Sequence, residues 1–234
     1  MGLDGRASYV AIGRAWLGGS GENPKHMPDF SLRLGWVAMA TVAHDFKRTA
    51  LVLVDMQNAF FEDQRLEARR ERLIGHCNDL VAAARRGAMP IFNIRTIHKR
   101  DKSTWTLSML EDDQGFLFEG TPQTYNLSGL DTKDSIEVIK HRDSSFWGTD
   151  LLQQLRRHHI DSLVLAGVSS HTCIASTAAD AYAANLRVAL AVEAMASTDP
   201  EFENTTLKLL EQEYRQKPET TAALLEQVPE WRTP

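Results

Sequence analysis

A chain of 234 residues matches one large α/β domain better than two small ones, and 43% hydrophobic with 24% charged residues excludes a disordered or collagen-like polymer. The 26 Lys+Arg against 31 Asp+Glu leave a net charge of -5, with no basic cluster to track a phosphate backbone, so nucleic acid is not an expected partner. Two cysteines, Cys77 and Cys173, are too few for a disulfide framework or a metal cluster and point to a reducing, cytoplasmic setting. The longest apolar run, Leu34 to Ala43, is broken by Gly35 and falls short of the ~20 residues of a membrane span. It also begins too late for a signal peptide.

Seven of the 14 glycines fall within the first 35 residues, where neither a helical nor a strand period shows. Residues 1–48 are therefore expected to form a poorly ordered N-terminal extension, with Met27 or Met39 as possible true starts, and residues 49–234 the folded domain. Ala50 to Val54 is an unbroken apolar run ending at Asp55, the pattern of a strand buried on both faces. Residues 62–86 repeat apolar side chains every three or four positions, which predicts an amphipathic helix carrying Cys77 on its core face. Gly87 stops that helix and Pro90 opens a second strand, Ile91 to Ile94, completing a right-handed β-α-β unit.

Residues 96–133 have no long period and form a long loop, a feature usually tied to function. Order resumes with a strand at Ile136 to Ile139, a helix from Thr149 to His158 and a strand at Ser162 to Ala166. A helix from Thr172 to Ala184, a strand at Arg187 to Val192 and a helix starting near Pro200 follow. Strand and helix alternate throughout, so the expected fold is α/β: a single three-layer α-β-α domain with a mainly parallel, Rossmann-like sheet.

In such a sheet, ligands bind beyond the carboxyl ends of the strands. Asp55 ends the first strand, Lys140 ends the third, and Cys173 opens the helix after the fourth. Each has a structural reading of its own, as a helix cap, a solvated strand end or a small core residue. Together they place an acid, an amine and a thiol on one rim. The helix terminus and the ammonium favour a thiolate, whereas a nearby carboxylate opposes it and can accept the proton instead.

The segments Leu53-Val54-Asp55-Met56-Gln57-Asn58, Lys140-His141-Arg142-Asp143-Ser144-Ser145-Phe146 and Gly167-Val168-Ser169-Ser170-His171-Thr172-Cys173, with Thr177-Ala178-Ala179-Asp180-Ala181 after it, resemble those of the isochorismatase-like cysteine hydrolases. That superfamily includes nicotinamidases, N-carbamoylsarcosine and ureidoacrylate amidohydrolases, and isochorismatases. The resemblance runs from about Thr49 to Thr198. It implies Asp55 as general base, Lys140 as the cation that holds the site together and Cys173 as nucleophile. It further implies a cis peptide between Val168 and Ser169, and an oxyanion hole built from the amides of Ser169 and Cys173.

The activity so implied is hydrolysis of a carbon-nitrogen bond in a small amide or ureido compound through a thioester. Vinyl ether cleavage of the isochorismatase type and a non-catalytic scaffold are the alternatives; the retained thiol speaks against the first and the complete trio against the second. Nicotinamidases carry an Asp-x-His metal pair after the second strand, where this chain reads Arg95-Thr96-Ile97-His98. With His98 alone, no metal and no cofactor are expected. Gln57, Phe60, Trp105, Phe146 and His171 are candidates to line the substrate pocket, with Trp147 beside them, although packing under adjoining helices explains the aromatics equally well. Family habit and the apolar content of 96–133 lead one to expect a homodimer or homotetramer.

Overall fold

The computed structural model describes residues 48–227; the expected N-terminal extension lies outside them, apart from Arg48. Six strands form one wholly parallel sheet in the order β3-β2-β1-β4-β5-β6. They are β1 (Thr49–Val54), β2 (Ile91–Thr96), β3 (Ile136–Lys140), β4 (Ser162–Val168), β5 (Arg187–Ala196) and β6 (Lys217–Glu219). The helices among the described residues are α1 (Gln64–Glu67), α2 (Arg70–Arg86), α3 (Leu107–Glu111), α4 (Leu151–Arg157), α5 (Ala175–Ala183), α6 (Pro200–Tyr214) and α7 (Thr221–Gln227).

The period-two geometry of a strand divides the core into two layers. From β1 and β4, Leu51, Leu53, Val164 and Ala166 pack with Leu73, Cys77, Leu80 and Val81 of α2 and Leu224 of α7. Their neighbours Ala50, Val52, Val54, Leu163 and Leu165 face the other way, onto Leu151 and Leu155 of α4, Ala178 and Ala181 of α5, and Leu210 of α6. This double burial is why β1 and β4 read as continuous apolar runs.

Four departures from the sequence reading have local causes. The helix expected over 62–86 is interrupted: a 3-10 turn spans Asn58–Glu62, Asp63 caps α1 through the Arg65 amide, and α2 starts anew after Arg69. At Arg69 the guanidinium reaches the Met195 carbonyl at 3.2 Å. β5 runs on to Ala196, because the register shifts between Leu165 and Gly167 and lets the strand continue past Glu193, whose carboxylate accepts from the Thr221 amide at 2.9 Å. A short α3 and a 3-10 turn at Pro122–Thr124 interrupt the 96–133 loop. β6 escapes a hydrophobicity reading because Lys217-Pro218-Glu219 has no apolar run; its proline is tolerated at the sheet edge.

β1 is flanked by β2 and β4, and the chain passes from β1 to β2 toward one edge of the sheet but from β4 to β5 toward the other. This is a topological switch point, where the loops beyond the strand ends part and open a crevice. Asp55 and the turn bearing Cys173 both emerge from it.

Candidate active site

Asp55 follows β1 with φ +53°, a left-handed conformation that aspartate accepts more readily than bulkier residues. Its amide still donates to the Ile94 carbonyl at 2.9 Å, which anchors the turn to β2. Lys140 is the last residue of β3, and Cys173 lies in a π-helical turn, Ser170–Ile174, between β4 and α5. Lys140 stands two strands away from β1, and its long side chain covers the gap.

Lys140 Nζ is 2.7 Å from Asp55 Oδ2, 3.4 Å from Cys173 Sγ and 3.0 Å from the Arg142 carbonyl. The ammonium thus has one ion-pair partner and two hydrogen-bond acceptors around it. Asp55 Oδ1 accepts from the Thr96 hydroxyl at 2.8 Å. Asp55, Lys140 and Cys173 are 0%, 1% and 6% exposed. An isolated charge at such depth is strongly disfavoured, and the ion pair with its added hydrogen bonds is the condition under which two charges remain there.

Burial works against the Lys140 ammonium, but the charges of Asp55 and Cys173 outweigh it and raise its pKa above the ordinary lysine value. Burial first, then the charge of Asp55, pushes the Cys173 thiol up to about 12, with Lys140 pulling the other way. The contest expected between helix terminus, ammonium and carboxylate is therefore dominated by desolvation, which the sequence does not display. Cys173 keeps its proton at neutral pH until a base removes it.

The peptide bond between Val168 and Ser169 is cis. Just before it, Gly167 has φ +119°, and a Cβ placed there would stand 2.0 Å from the Val54 carbonyl oxygen. Only glycine lets β4 lie this close to β1 while its chain turns toward the thiol. The Thr-Ala-x-Asp segment of α5 has a role that its sequence did not reveal. The Thr177 hydroxyl donates to Ser145 Oγ and accepts from the Ser145 amide, both at 3.0 Å, and Ser144 donates to Asp180. The loop after Lys140 is thereby clamped to the helix after Cys173, fixing amine against thiol.

Comparison with known proteins decides the family. An Isochorismatase domain model matches residues 49–222. The chain belongs to the isochorismatase family. Among curated relatives, the uncharacterized isochorismatase family protein YecD of Escherichia coli O157:H7 is 27% identical over 162 residues, covering 69% of this chain and 86% of that protein. A cysteine hydrolase from Pseudomonas syringae pv. phaseolicola 1448A has a TM-score of 0.70 at 21% identity, covering 80% of this chain and 94% of its own. An N-carbamoylsarcosine amidase from Thermoplasma acidophilum has a TM-score of 0.63 at 23% identity, covering 74% and 96%. At these identities the structural likenesses speak for the fold alone.

In this isochorismatase-family chain, the residues expected to line a pocket divide. Gln57 is corrected: it is fully buried, both hydrogens of its amide go to the Thr96 and Thr124 carbonyls at 3.0 and 2.9 Å, and its oxygen accepts from the Thr96 amide at 2.8 Å. With no hydrogen left for a ligand, it is a strut between β2 and the loop. Trp105 is also corrected. It is 7% exposed, its indole N–H donates to the Lys99 carbonyl at 2.8 Å and its ring lies against Phe118, so it fills its own loop rather than lining a pocket. Phe146 packs against the α4–α5 side of the core, and Trp147 stands 70% exposed.

Phe60 packs at the edge of the α2 core and meets Phe116 edge-on, with ring centres 6.3 Å apart. His171 Nδ1 is 2.5 Å from the Ser197 hydroxyl. His98 is buried: Nδ1 lies 2.9 Å from the Thr104 carbonyl, and its ring neighbours Phe116 and His141. Burial, joined by the nearby positive groups His141, Arg142 and Lys140, lowers its pKa despite the Thr104 hydrogen bond. Among the described residues, no three His, Cys, Asp or Glu side chains gather closely enough to hold a metal ion. No described helix is long and apolar enough to cross a membrane.

Proposed function

We propose that the protein is a cysteine-dependent hydrolase that cleaves a carbon-nitrogen bond of a small amide or ureido (N-carbamoyl) compound. One observation carries this reading: a single buried ammonium stands 2.7 Å from a carboxylate and 3.4 Å from a thiol. Asp55 takes the Cys173 proton as sulfur attacks the substrate carbonyl carbon, so the thiolate forms only when it is used. The carbon-nitrogen bond then breaks and Asp55-H protonates the departing nitrogen, leaving a thioester. Asp55 next takes a proton from water, the resulting hydroxide adds to the thioester, the carbon-sulfur bond breaks, and the proton returns to sulfur. Lys140 stays charged throughout and offsets the negative charge as it moves between oxygen and sulfur.

The Ser169 and Cys173 amides receive the carbonyl oxygen as it becomes anionic, each such donor typically supplying ~3 kcal/mol of transition-state stabilisation. Vinyl ether cleavage needs a proton donor and a water but no nucleophile from the protein, and would leave Cys173 without a task.

A panel of primary amides and N-carbamoyl compounds assayed for ammonia release tests the reading, with mass spectrometry to trap a substrate-derived adduct on Cys173. Ammonia from at least one compound and an adduct on that cysteine are expected. Turnover of a vinyl ether alone, with no adduct, would overturn it. We also propose that a second copy covers the exposed Leu107 and Leu110 on the α3 segment; sedimentation as a monomer at micromolar concentration would refute this.

A further inference from the structure

The turn that carries Cys173 is held from behind by a charged network. The Ser170 side chain is completely buried, and its hydroxyl donates to Glu203 Oε2 at 2.8 Å. Glu203 lies in the first turn of α6, where the helix dipole favours a carboxylate. Its other oxygen, Oε1, is 3.6 Å from Arg69 Nη1, and Arg69 Nη2 donates to the Met195 carbonyl at 3.2 Å. Met195 pairs in register with Gly167, the glycine that brings β4 against β1. One guanidinium therefore connects β5, the neighbour of the strand before the cis peptide, with the carboxylate that holds the turn after it.

The next residue is tied to the same segment. The Ser197 hydroxyl oxygen accepts from the Asp199 amide at 2.9 Å and lies 2.5 Å from His171 Nδ1. Residues 197–203 thus grip two consecutive positions of the turn. Ser170 lies between Ser169 and Cys173, the two residues whose amides are assigned to the oxyanion. A charge-assisted hydrogen bond fixes its side chain, and through it the backbone that aims those amides. Arg69 supplies the opposite charge, which limits the field that a lone carboxylate would impose on a site accumulating negative charge.

We propose that Glu203 is a positioning residue that acts through Ser170 on the nucleophile turn, with Arg69 as its counter-ion. This rests on the reading of Cys173 as nucleophile. A displacement of about 1 Å in such a turn can lower turnover by as much as ~100-fold. Loosening the turn also relieves the burial and draws sulfur away from Asp55, the two larger influences that hold its pKa up, as well as from Lys140, which lowers it.

The test compares Glu203→Ala, Glu203→Gln, Ser170→Ala and the Ser170→Ala/Glu203→Ala pair, with kcat expressed per alkylatable Cys173 so that unfolded protein does not count. Glu203→Ala is expected to lose roughly 10- to 100-fold in kcat with little change in KM. Glu203→Gln, which keeps an acceptor oxygen, recovers most of it. The double variant falls no further than Glu203→Ala alone, because both changes cut one connection. The pH midpoint of Cys173 alkylation moves downward in Glu203→Ala, because burial and the Asp55 charge, which relax together, outweigh Lys140 in setting it. Unchanged turnover per thiol, an unmoved midpoint, or losses that multiply in the double variant would each overturn the proposal. If Cys173→Ala retains hydrolysis, the nucleophile assignment fails, while the alkylation midpoints still decide whether Glu203 holds the turn.

Discussion

Cys77 and Cys173 occupy opposite layers of the core, the first on α2 and the second at the rim leading into α5. Both thiols are pushed up to about 12. For Cys77 burial alone does this, and its thiol donates to the Ala194 carbonyl, 3.8 Å away, with apolar side chains around it. For Cys173 burial is joined by Asp55 and opposed by Lys140. Equal resting protonation thus conceals unequal chemistry. What separates a nucleophile from a core thiol is whether a base and a cation stand ready when the proton leaves.

The contrast is broken most severely by Cys173→Ala or Cys173→Ser. Hydrolysis should fall by a factor on the order of 10⁴ or more while circular dichroism stays that of the wild type. Full activity in either variant would remove the thiol mechanism. Asp55→Asn takes away the base, with an expected loss on the order of 10²–10⁴-fold. Because the Asp55 charge raises the Cys173 pKa, its removal should also shift the alkylation profile of Cys173 to lower pH. Identical profiles in variant and wild type would refute a proton shared between the two groups.

Iodoacetamide at neutral pH should modify Cys173 before Cys77, since Cys77 is fully enclosed and reacts only when its surroundings open. Peptide mass spectrometry over a time course reads the two rates, and equal rates would erase the distinction. The smallest effect concerns stability at high pH. Burial pushes the folded Cys77 thiol from its ordinary value of 9.0 up to about 12. Its contribution is therefore complete below pH 9 and is lost as pH rises toward 12, because the unfolded chain releases the proton first. Replacing it in Cys77→Ala should flatten the alkaline decline in unfolding free energy by up to ~1.4 kcal/mol per pH unit. An unaltered slope in denaturant titrations between pH 9 and 11 would show that the thiol does not ionise on unfolding.

Asp55, Lys140 and Cys173 were legible because their positions follow from strand ends, and strand ends follow from apolar runs. A strand buried on both faces has to be apolar along its length, so Ala50–Val54 and Ser162–Ala166 declared themselves and the charged residue after β1 marked the rim. Gln57 and Trp105 misled for the converse reason. Their residue types suit a pocket, but Gln57 is saturated by carbonyls 39 and 67 positions away, a pairing that no local pattern records. The Ser144, Ser145, Thr177 and Asp180 clamp was hidden likewise, since hydroxyls carry no periodic signal and acquire their partners only when β3 and α5 meet.

The sequence by itself determined the alternating α/β order, the double burial of the central strands and the identities of the acid, amine and thiol, all of which depend on residue type and short-range spacing. Tertiary structure alone decided that the thiol rests protonated, that Lys140 reaches both partners across two strands, and that Glu203 lies behind the nucleophile turn. The physical reason is that desolvation and charge-charge coupling depend on distances between segments far apart in the chain, and those distances exist only once the sheet has assembled.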